Sequence, residues 1–306
     1  MKITSEMFRK LDNKEKAMTN IALLPVRSLA RESWQRFCSN KRALVALVII
    51  LLIVCSAILC PLLSPYNTHQ MNLSSVNCRP FADHYFGTDG AGRDLWIRVW
   101  SGTRISLSIA VIAATLNLVI GVLYGGISGY FGGKIDIVMQ RIIEVVQGIP
   151  PLIILILLML IIHPGIMSIA LAIAMTSWIN MSLVVRGQIL KLKSAEYILS
   201  AKTLGAGYWH ILRKHLIPNM RGPIIVTLTL RIPIAIFFEV FLSFIGLGMP
   251  VDQASLGTLL MSARRYLDIY PYQVWYPIAI IVPLILACNM LGDGLRDALD
   301  SSCLSK

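Results

Sequence analysis

The sequence SAEYILSAKTLGAGYWHILRKHLIP, residues 194–218, is a polar insert between long apolar segments, and the rest of the chain is organised around it. Within it, Ala201, Leu204, Gly205 and Tyr208 recur at intervals of three and four, which predicts that they share one helical face. Gly205 has no side chain, so another surface can approach its backbone closely. The pattern favours a loop between membrane spans that docks a partner outside the membrane. An amphipathic interfacial helix with a glycine bend is the alternative.

The composition is that of a membrane protein. Of the 306 residues, 56% are hydrophobic and only 14% are charged, whereas soluble proteins carry about 25% charged residues. The net charge of +12 is explained by membrane loops rich in Lys and Arg rather than by nucleic-acid binding. The six cysteines include no CxxC pair and imply no disulfide framework.

Apolar runs divide the chain, and each is close to the roughly 20 residues that a helix needs to cross a bilayer. They cover residues 43–63, 104–129, 141–162, 166–185, 224–247 and 274–291. We therefore predict an all-α integral membrane protein with six transmembrane helices. Its parts would be an N-terminal segment 1–42, a transmembrane domain 43–293 with loops at 64–103 and 186–223, and a tail 294–306.

Two features of these runs predict local geometry. Pro150 and Pro151 predict a kink in the third span. Gly121, Gly125 and Gly129 are spaced by four residues, which predicts a seam of close helix packing along the second span.

The distribution of basic residues predicts the orientation. Of the 28 Lys and Arg residues, 21 lie in segments on the side of the N-terminus, six lie on the opposite side, and Arg231 lies within the fifth span. Because basic residues concentrate in cytoplasmic loops, both termini and the insert 194–218 are expected in the cytoplasm.

Aligned on Gly205, the insert resembles the EAA loop of binding-protein-dependent ABC importer permeases. That loop reads Glu-Ala-Ala, three residues, Gly, nine residues and Ile-x-Leu-Pro. The matching positions are Leu199, Ser200, Ala201, Gly205, His215, Ile217 and Pro218. Leu199 replaces the leading Glu and His215 replaces the Ile, while the Ala-x3-Gly core and the aliphatic-Pro end are retained.

Residues 84–108, HYFGTDGAGRDLWIRVWSGTRISLS, carry a second resemblance. They are similar to the FGTDxxGRD segment in the C-type subunit of oligopeptide, dipeptide and nickel importers. The motif positions are Gly87, Thr88, Asp89, Gly92, Arg93 and Asp94. The sequences EVFLSFIGLG (239–248) and LGDGLRDALD (291–300) also resemble that subfamily, and the wording is most similar to oligopeptide permeases.

The same segment has a reading from its residues alone. Thr88 or Asp89 can cap a helix beginning at about residue 90, with Asp94 near its positive end. Arg93 and Arg98 would then face solvent, lipid headgroups or an acidic partner. A capped interfacial helix without a partner is the alternative.

The resemblance implies the type I ABC importer permease fold and a set of partners. These are a homologous second permease, two cytoplasmic ATPases that bind ATP and Mg²⁺, and an external or periplasmic peptide-binding protein. It implies a place in the bacterial cytoplasmic (inner) membrane and oligopeptide import, with dipeptides, nickel or antimicrobial peptides as alternatives. The chain itself is expected to bind no cofactor. Its stretch 129–134, GYFGGK, fails as a phosphate loop because position 128 is Ser and position 135 is Ile.

Ionisable residues inside the spans are few, and such residues usually face a bundle interior or a cavity. Glu239 can line a substrate path or pair with Arg231, eight residues earlier. The five histidines show no metal-ligand spacing, and no catalytic residues are expected. An ion-coupled secondary transporter, a channel or a membrane scaffold remains open as a different class.

Overall fold

The computed structural model describes residues 29–299 and is helical. Residues 1–28, from the expected N-terminal segment, and 300–306, from the expected tail, lie outside the described residues. The helices are α1 (Leu29–Ser39), α2 (Lys41–Leu63), α3 (Leu95–Phe131), α4 (Gly133–Gln147), α5 (Pro151–Ile161), α6 (Ile166–Leu192), α7 (Glu196–Thr203), α8 (Tyr208–Ile211), α9 (Arg221–Phe244), α10 (Leu256–Ala263) and α11 (Tyr272–Leu299). No β-strand occurs between residues 29 and 299, so the predicted all-α class is confirmed.

Five helices, α2, α3, α6, α9 and α11, are each long and apolar enough to cross a membrane. The third predicted span is two helices, α4 and α5, bent by 83° at the break before Pro151. The two prolines therefore break the helix rather than kink it, because Pro150 adopts an extended conformation and Pro151 begins a new helix.

The predicted glycine seam is confirmed between α3 and α6. A Cβ atom at Gly121 would lie 3.0 Å from the Trp178 carbonyl oxygen, and one at Gly129 would lie 3.1 Å from that of Arg186. A Cβ at Gly125 would collide with the Ser182 carbonyl oxygen. The two helix backbones are in direct contact because these positions carry no side chain.

The seam also indicates how many times the chain crosses the membrane. Successive glycines of α3 face successive positions of α6: Gly121 faces Met181, Gly125 faces Ser182 and Gly129 faces Ile189. The two helices therefore run in the same direction. The segment 133–161 must return the chain to the opposite end of the bundle between them. The bent pair α4–α5 therefore counts as one crossing, and the described residues make six.

Several predicted boundaries differ from the observed ones. Helix α3 begins at Leu95, nine residues before the expected start of the second span, because its first turns pack against the preceding loop. Helix α11 runs through Leu299, so the tail boundary expected after residue 293 falls inside a helix. Gly294 accounts for this, since it packs against Ala43 of α2.

Candidate functional site

The insert 194–218 forms a loop of two short helices at the end of the bundle where α3 and α6 terminate. Helix α7 ends in a turn at Gly205, and α8 continues through a π-helical turn, Leu212–Leu216, into the short helix Ile217–Asn219. The whole arrangement returns the chain to α9. We call residues 193–220 the coupling loop, after the role that we propose for them.

Buried aliphatic side chains fix the coupling loop to the bundle. Ile198, Ile211, Leu212 and Leu216 are all at most 2% exposed. They pack in one hydrophobic cluster with side chains of α6, with Met220 and with the first turn of α9: Met181, Val185, Ile189 and Ile224. Burial of four such side chains stabilises the loop by about 1.5–3 kcal/mol each, so the loop is held as a rigid extension of α6.

Gly205 ends α7 through a Schellman motif. Its φ is +82°, its N–H donates to the Lys202 carbonyl at 2.9 Å, and the Ala206 N–H donates to the Ala201 carbonyl at 3.0 Å. The prediction that Ala201, Leu204, Gly205 and Tyr208 share one helical face is wrong, because the helix stops at this turn. Ala201 and Tyr208 pack on the hydrophobic cluster, whereas Leu204 is 88% exposed.

The outer face of the coupling loop is apolar and basic. Leu199, Leu204 and Trp209 are exposed, and the cationic side chains of Lys202, Arg213 and Lys214 are exposed beside them. Among residues 29–299, no atom lies within 4 Å of the position that a Cβ would take at Gly205. Such an apolar surface on a rigid support is typical of a protein-docking site.

The remaining predicted residues of the loop have mixed roles. Ser200 is exposed, and His215, Ile217 and Pro218 are half-buried. Pro218 lies in the first turn of the short helix Ile217–Asn219, where a proline costs no hydrogen bond. The Asn219 side-chain amide donates to the His215 carbonyl at 2.6 Å, which closes the loop before α9.

Tyr208 connects the coupling loop to α3. Its ring centroid lies 4.8 Å from that of Tyr130. The Lys202 Nζ lies over the Tyr130 ring, 4.7 Å from its centroid. In the part of the chain that the structure describes, the Tyr208 hydroxyl has no hydrogen-bond partner, and a Cβ at Gly126 would lie 2.9 Å from it. Burial, reinforced by Tyr130, raises the pKa of Tyr208 to about 12.

An ion pair that sequence reasoning did not predict lies next to the coupling loop. Asp136 of α4 and Arg186 of α6 are joined by two hydrogen bonds. Ser128 of α3 donates to the same carboxylate at 2.5 Å. No local sequence pattern indicates this role of Asp136, because its partner is 50 residues away.

At the opposite end of the bundle, the motif of residues 87–94 has its charged side chains buried rather than exposed. Asp89 accepts from the backbone N–H groups of Ala91 and Arg93 and from Arg93 Nε, at 2.8–3.0 Å. Arg98 is fully buried. Its Nε lies 3.6 Å from Asp89 Oδ2, and its Nη1 donates to the Thr68 carbonyl at 2.9 Å. The expectation that Arg93 and Arg98 face solvent is therefore wrong, because both compensate a buried carboxylate.

The cap of α3 is Asp94, and neither Thr88 nor Asp89 caps a helix. Asp94 Oδ1 accepts from the Ile97 N–H at 2.9 Å, and its Oδ2 lies 2.5 Å from Nδ1 of the buried His84. Thr88 instead bonds to the Ser75 carbonyl and accepts from the Cys78 N–H at 2.8 Å.

Both glycines of the motif are required by backbone conformation. Gly87 and Gly92 have φ of +73° and +69°, and a Cβ at either would collide with a carbonyl oxygen, of Cys78 or of Asn72. The motif thus builds a tightly packed cap on this end of the bundle.

The two charged residues of the fifth span are separate from each other. Glu239 is fully buried, and its Oε1 accepts from the Ser243 hydroxyl at 2.9 Å. Arg231 is half-buried. With the Asn180 amide oriented to accept, Nη2 and Nη1 of Arg231 donate to the Asn180 side-chain oxygen on α6 at 2.8 and 3.1 Å. No ion pair joins Glu239 and Arg231, so the expected structural pairing is not formed. Within residues 29–299, no group of three His, Cys, Asp or Glu side chains is arranged to hold a metal ion.

Comparison with known proteins identifies the family. Residues 119–303 match the family described as binding-protein-dependent transport system inner membrane component, and residues 28–80 match the N-terminal transmembrane domain of oligopeptide transport permease C. The chain is 46% identical to the oligopeptide transport system permease protein OppC of Bacillus subtilis (strain 168), over 89% of this chain and 90% of that protein. It is 45% identical to the dipeptide transport system permease protein DppC of the same strain, over 90% and 87%.

A less similar relative indicates the same family. The oligopeptide transport system permease protein OppC of Haemophilus influenzae is 36% identical over 90% of this chain and 89% of its own length. These matches extend over nearly the whole membrane domain. The chain therefore belongs to the family of binding-protein-dependent transport system inner membrane components, as an ABC importer permease of the oligopeptide permease C type.

Proposed function

We propose that this chain imports oligopeptides as one of two homologous permease subunits in an ATP-driven transporter. The two permeases would form the translocation path between them, and an external or periplasmic peptide-binding protein would deliver the substrate. The names of the relatives support peptides as the substrate class. Oligopeptide and dipeptide relatives are almost equally similar, so dipeptides are the alternative to test directly.

The coupling loop transmits the motion of a cytoplasmic ATPase to the bundle in this proposal. The observation that carries it is the contrast within one short loop: Leu204 and Trp209 are exposed, while Ile198 and Leu216 are completely buried in the cluster with α6. A partner pressing on the exposed side therefore moves the buried side with it. Tyr208 extends this contact to Gly126 of α3.

The direction of transport follows from the orientation of the chain. The excess of Lys and Arg supports a cytoplasmic position for both termini and the coupling loop in a bacterial inner membrane. The loop 64–94 and α10 would then face the binding protein. Arg264 and Arg265 at the end of α10 are exposed and are better candidates for contacting it than the buried Arg93.

ATP and Mg²⁺ would be bound by two partner ATPases, one of them docked on this chain. Closure of the ATPases on ATP would push the coupling loops together and open the path outward, and ADP release would reverse the change. Arg231 is the polar side chain of α9 that we place nearest to the path, because it is half-buried and bonded only to a neutral amide.

Purification of the chain from native membranes in mild detergent tests the proposal. We expect it to bring down a second multi-span protein and two soluble ATPases. The reconstituted complex should then hydrolyse ATP faster when peptide-loaded binding protein is added. Competition between dipeptides and pentapeptides for uptake would separate the two substrate classes. Recovery of the chain alone, with transport that needs no ATPase, would favour a secondary transporter instead.

A further inference from the structure

Glu239 lies at a point where three elements of the outer half of the bundle meet. Its carboxyl is completely buried, and the hydroxyls of Ser106 on α3, Ser243 on α9 and Ser255 before α10 surround it. Ser243 donates to Oε1 at 2.9 Å. Among the described residues, Oε2 has no hydrogen-bond partner.

Each of these serines already accepts a backbone N–H from the segment between α9 and α10 or from α10 itself. Ser243 Oγ accepts from Met249 at 3.2 Å, Ser106 Oγ from Leu256 at 3.3 Å, and Ser255 Oγ from Thr258 at 3.1 Å. A serine hydroxyl has one hydrogen to donate. The Ser243 hydrogen goes to Glu239 Oε1, so Ser243 joins the carboxyl to the Met249 N–H. The hydroxyls of Ser106 and Ser255 lie near the same carboxyl and are the candidate donors for its second oxygen.

Glycines bring these elements into contact. A Cβ at Gly102 of α3 would lie 3.0 Å from the Ser255 carbonyl carbon, and one at Gly248 would lie 2.6 Å from the Ser243 nitrogen. A Cβ at Gly257 of α10 would lie 2.5 Å from the Ser243 Cβ. The segment from residue 246 to α10 is therefore packed on α3 and α9 without space for a side chain or a water molecule at these points.

We infer that Glu239 is a positioning residue, whose carboxyl holds α10 and the segment 246–255 onto α3 and α9 through Ser106, Ser243 and Ser255. We call these four residues the glutamate–serine clasp. The inference rests on the proposed function only in one respect: α10, held in this way, shapes the outer end of the substrate path. Glu239 acts behind that surface and does not line it.

Cysteine labelling in native membranes tests the clasp. In a chain whose six native cysteines are replaced, Ala254→Cys places a thiol at a position that is 3% exposed, and Gln253→Cys places one at the exposed neighbour. With a membrane-permeant maleimide, Glu239→Gln and Ser243→Ala should each speed labelling at position 254 about tenfold or more, because the first weakens and the second removes the hydrogen bond between these two buried side chains. Labelling at position 253 should not change, which also measures how much chain is correctly inserted.

Matched serines provide the controls. Ser108→Ala on α3 and Ser262→Ala on α10 remove hydroxyls that bond only to their own helix, so neither should alter labelling at position 254. The double variant of Glu239→Gln and Ser243→Ala should label no faster than the faster single variant, since both act on the same contact. Unchanged labelling in the single variants, or additive effects in the double variant, would overturn the inference.

Transport measured in the same membranes separates this inference from the proposed function. Loss of uptake in Glu239→Gln without faster labelling would mean that the carboxyl acts on substrate, which overturns the clasp. Faster labelling in a chain that recruits no ATPase would support the clasp, while the proposed function would fail.

Discussion

Arg186 and Asp136 form a two-pronged ion pair, with Nε–Oδ1 and Nη2–Oδ2 distances of 2.6 Å each. The pair joins α6 to α4 at the end of the glycine seam, where Gly129 faces the Arg186 carbonyl, and Ser128 bonds the same carboxylate to α3. Lys193, where α6 ends and the coupling loop begins, reaches the Gly129 carbonyl at 3.5 Å. Three helices are therefore joined at the point from which the coupling loop leaves the bundle.

Asp136→Asn should lower the free energy of unfolding by about 1–3 kcal/mol, because the charge-assisted bonds to Arg186 are lost in a partly buried site. Glu144→Gln is the matched control on the same helix. Its partner Arg141 is largely exposed, so the loss should stay below about 1 kcal/mol. Unfolding midpoints of the purified chain measure both. Equal shifts in the two variants would contradict the structural role given to Asp136.

Gly205 is expected to contribute to transport in two ways: its positive φ ends α7, and its missing side chain leaves the docking surface open. Gly205→Ala should destabilise the end of α7 by about 1–2 kcal/mol, since φ is positive there, and Gly205→Asn should cost less. Both should retain ATP hydrolysis stimulated by the binding protein. Gly205→Trp should abolish this stimulation while membrane insertion persists, because a large side chain covers the docking surface.

The control for this series is Gly207→Ala. Gly207 also has open space around it, but its φ is −72°, so an added methyl group brings no strain. Normal transport in Gly205→Trp would remove the coupling loop from the mechanism. If Gly205→Ala and Gly205→Trp both lost the stimulated ATP hydrolysis, Gly205 would be required for its backbone conformation alone.

Gly125→Leu should prevent α3 and α6 from packing and lower stability by about 3 kcal/mol or more, because the backbone of Ser182 occupies the space. Gly187→Leu on α6 is the control, since no atom lies within 4 Å of its Cβ position. The yield of monodisperse protein after detergent extraction reports the difference. Comparable yields from the two variants would mean that the seam is not required.

Tyr208 and Gly126 should show strong coupling in a double-mutant cycle. Tyr208→Phe removes a buried hydroxyl that has no partner, so stability should change by less than about 1 kcal/mol. Gly126→Ala alone should be unfavourable because its methyl group meets that hydroxyl. In the Tyr208→Phe background the same change should stabilise α3 by up to about 1 kcal/mol, the difference in helix propensity. Thermal unfolding of the four proteins measures the coupling, and additivity would contradict the contact.

The helical class, the position of the apolar runs and the glycine seam were accessible from sequence because each depends on a local period. Gly121, Gly125 and Gly129 recur every helical turn, and this alone indicates a bare face. The family resemblance rested on motif residues, and the matches over most of the chain confirm it. Two adjacent prolines signalled a disturbed helix, although not how sharply it bends.

The contacts that were missed join residues far apart in sequence. Arg98 reads as an exposed cation until Thr68 and Asp89 are brought to it. The Ser106 hydroxyl meets the Leu256 N–H across 150 residues, and no periodic pattern reports such a pair. The false helical face around Gly205 has another cause. A spacing of three and four was assumed to continue through a glycine that ends the helix.

The parallel course of α3 and α6 has a consequence for synthesis of the protein in the membrane. Gly121 and Met181, which touch across the seam, are separated by the entire returning segment α4–α5. The bare face of α3 therefore stays uncovered by its own chain until α6 has been translated and inserted. A ribosome that stops before residue 166 leaves a helix whose exposed glycines are free to bind the wrong neighbour.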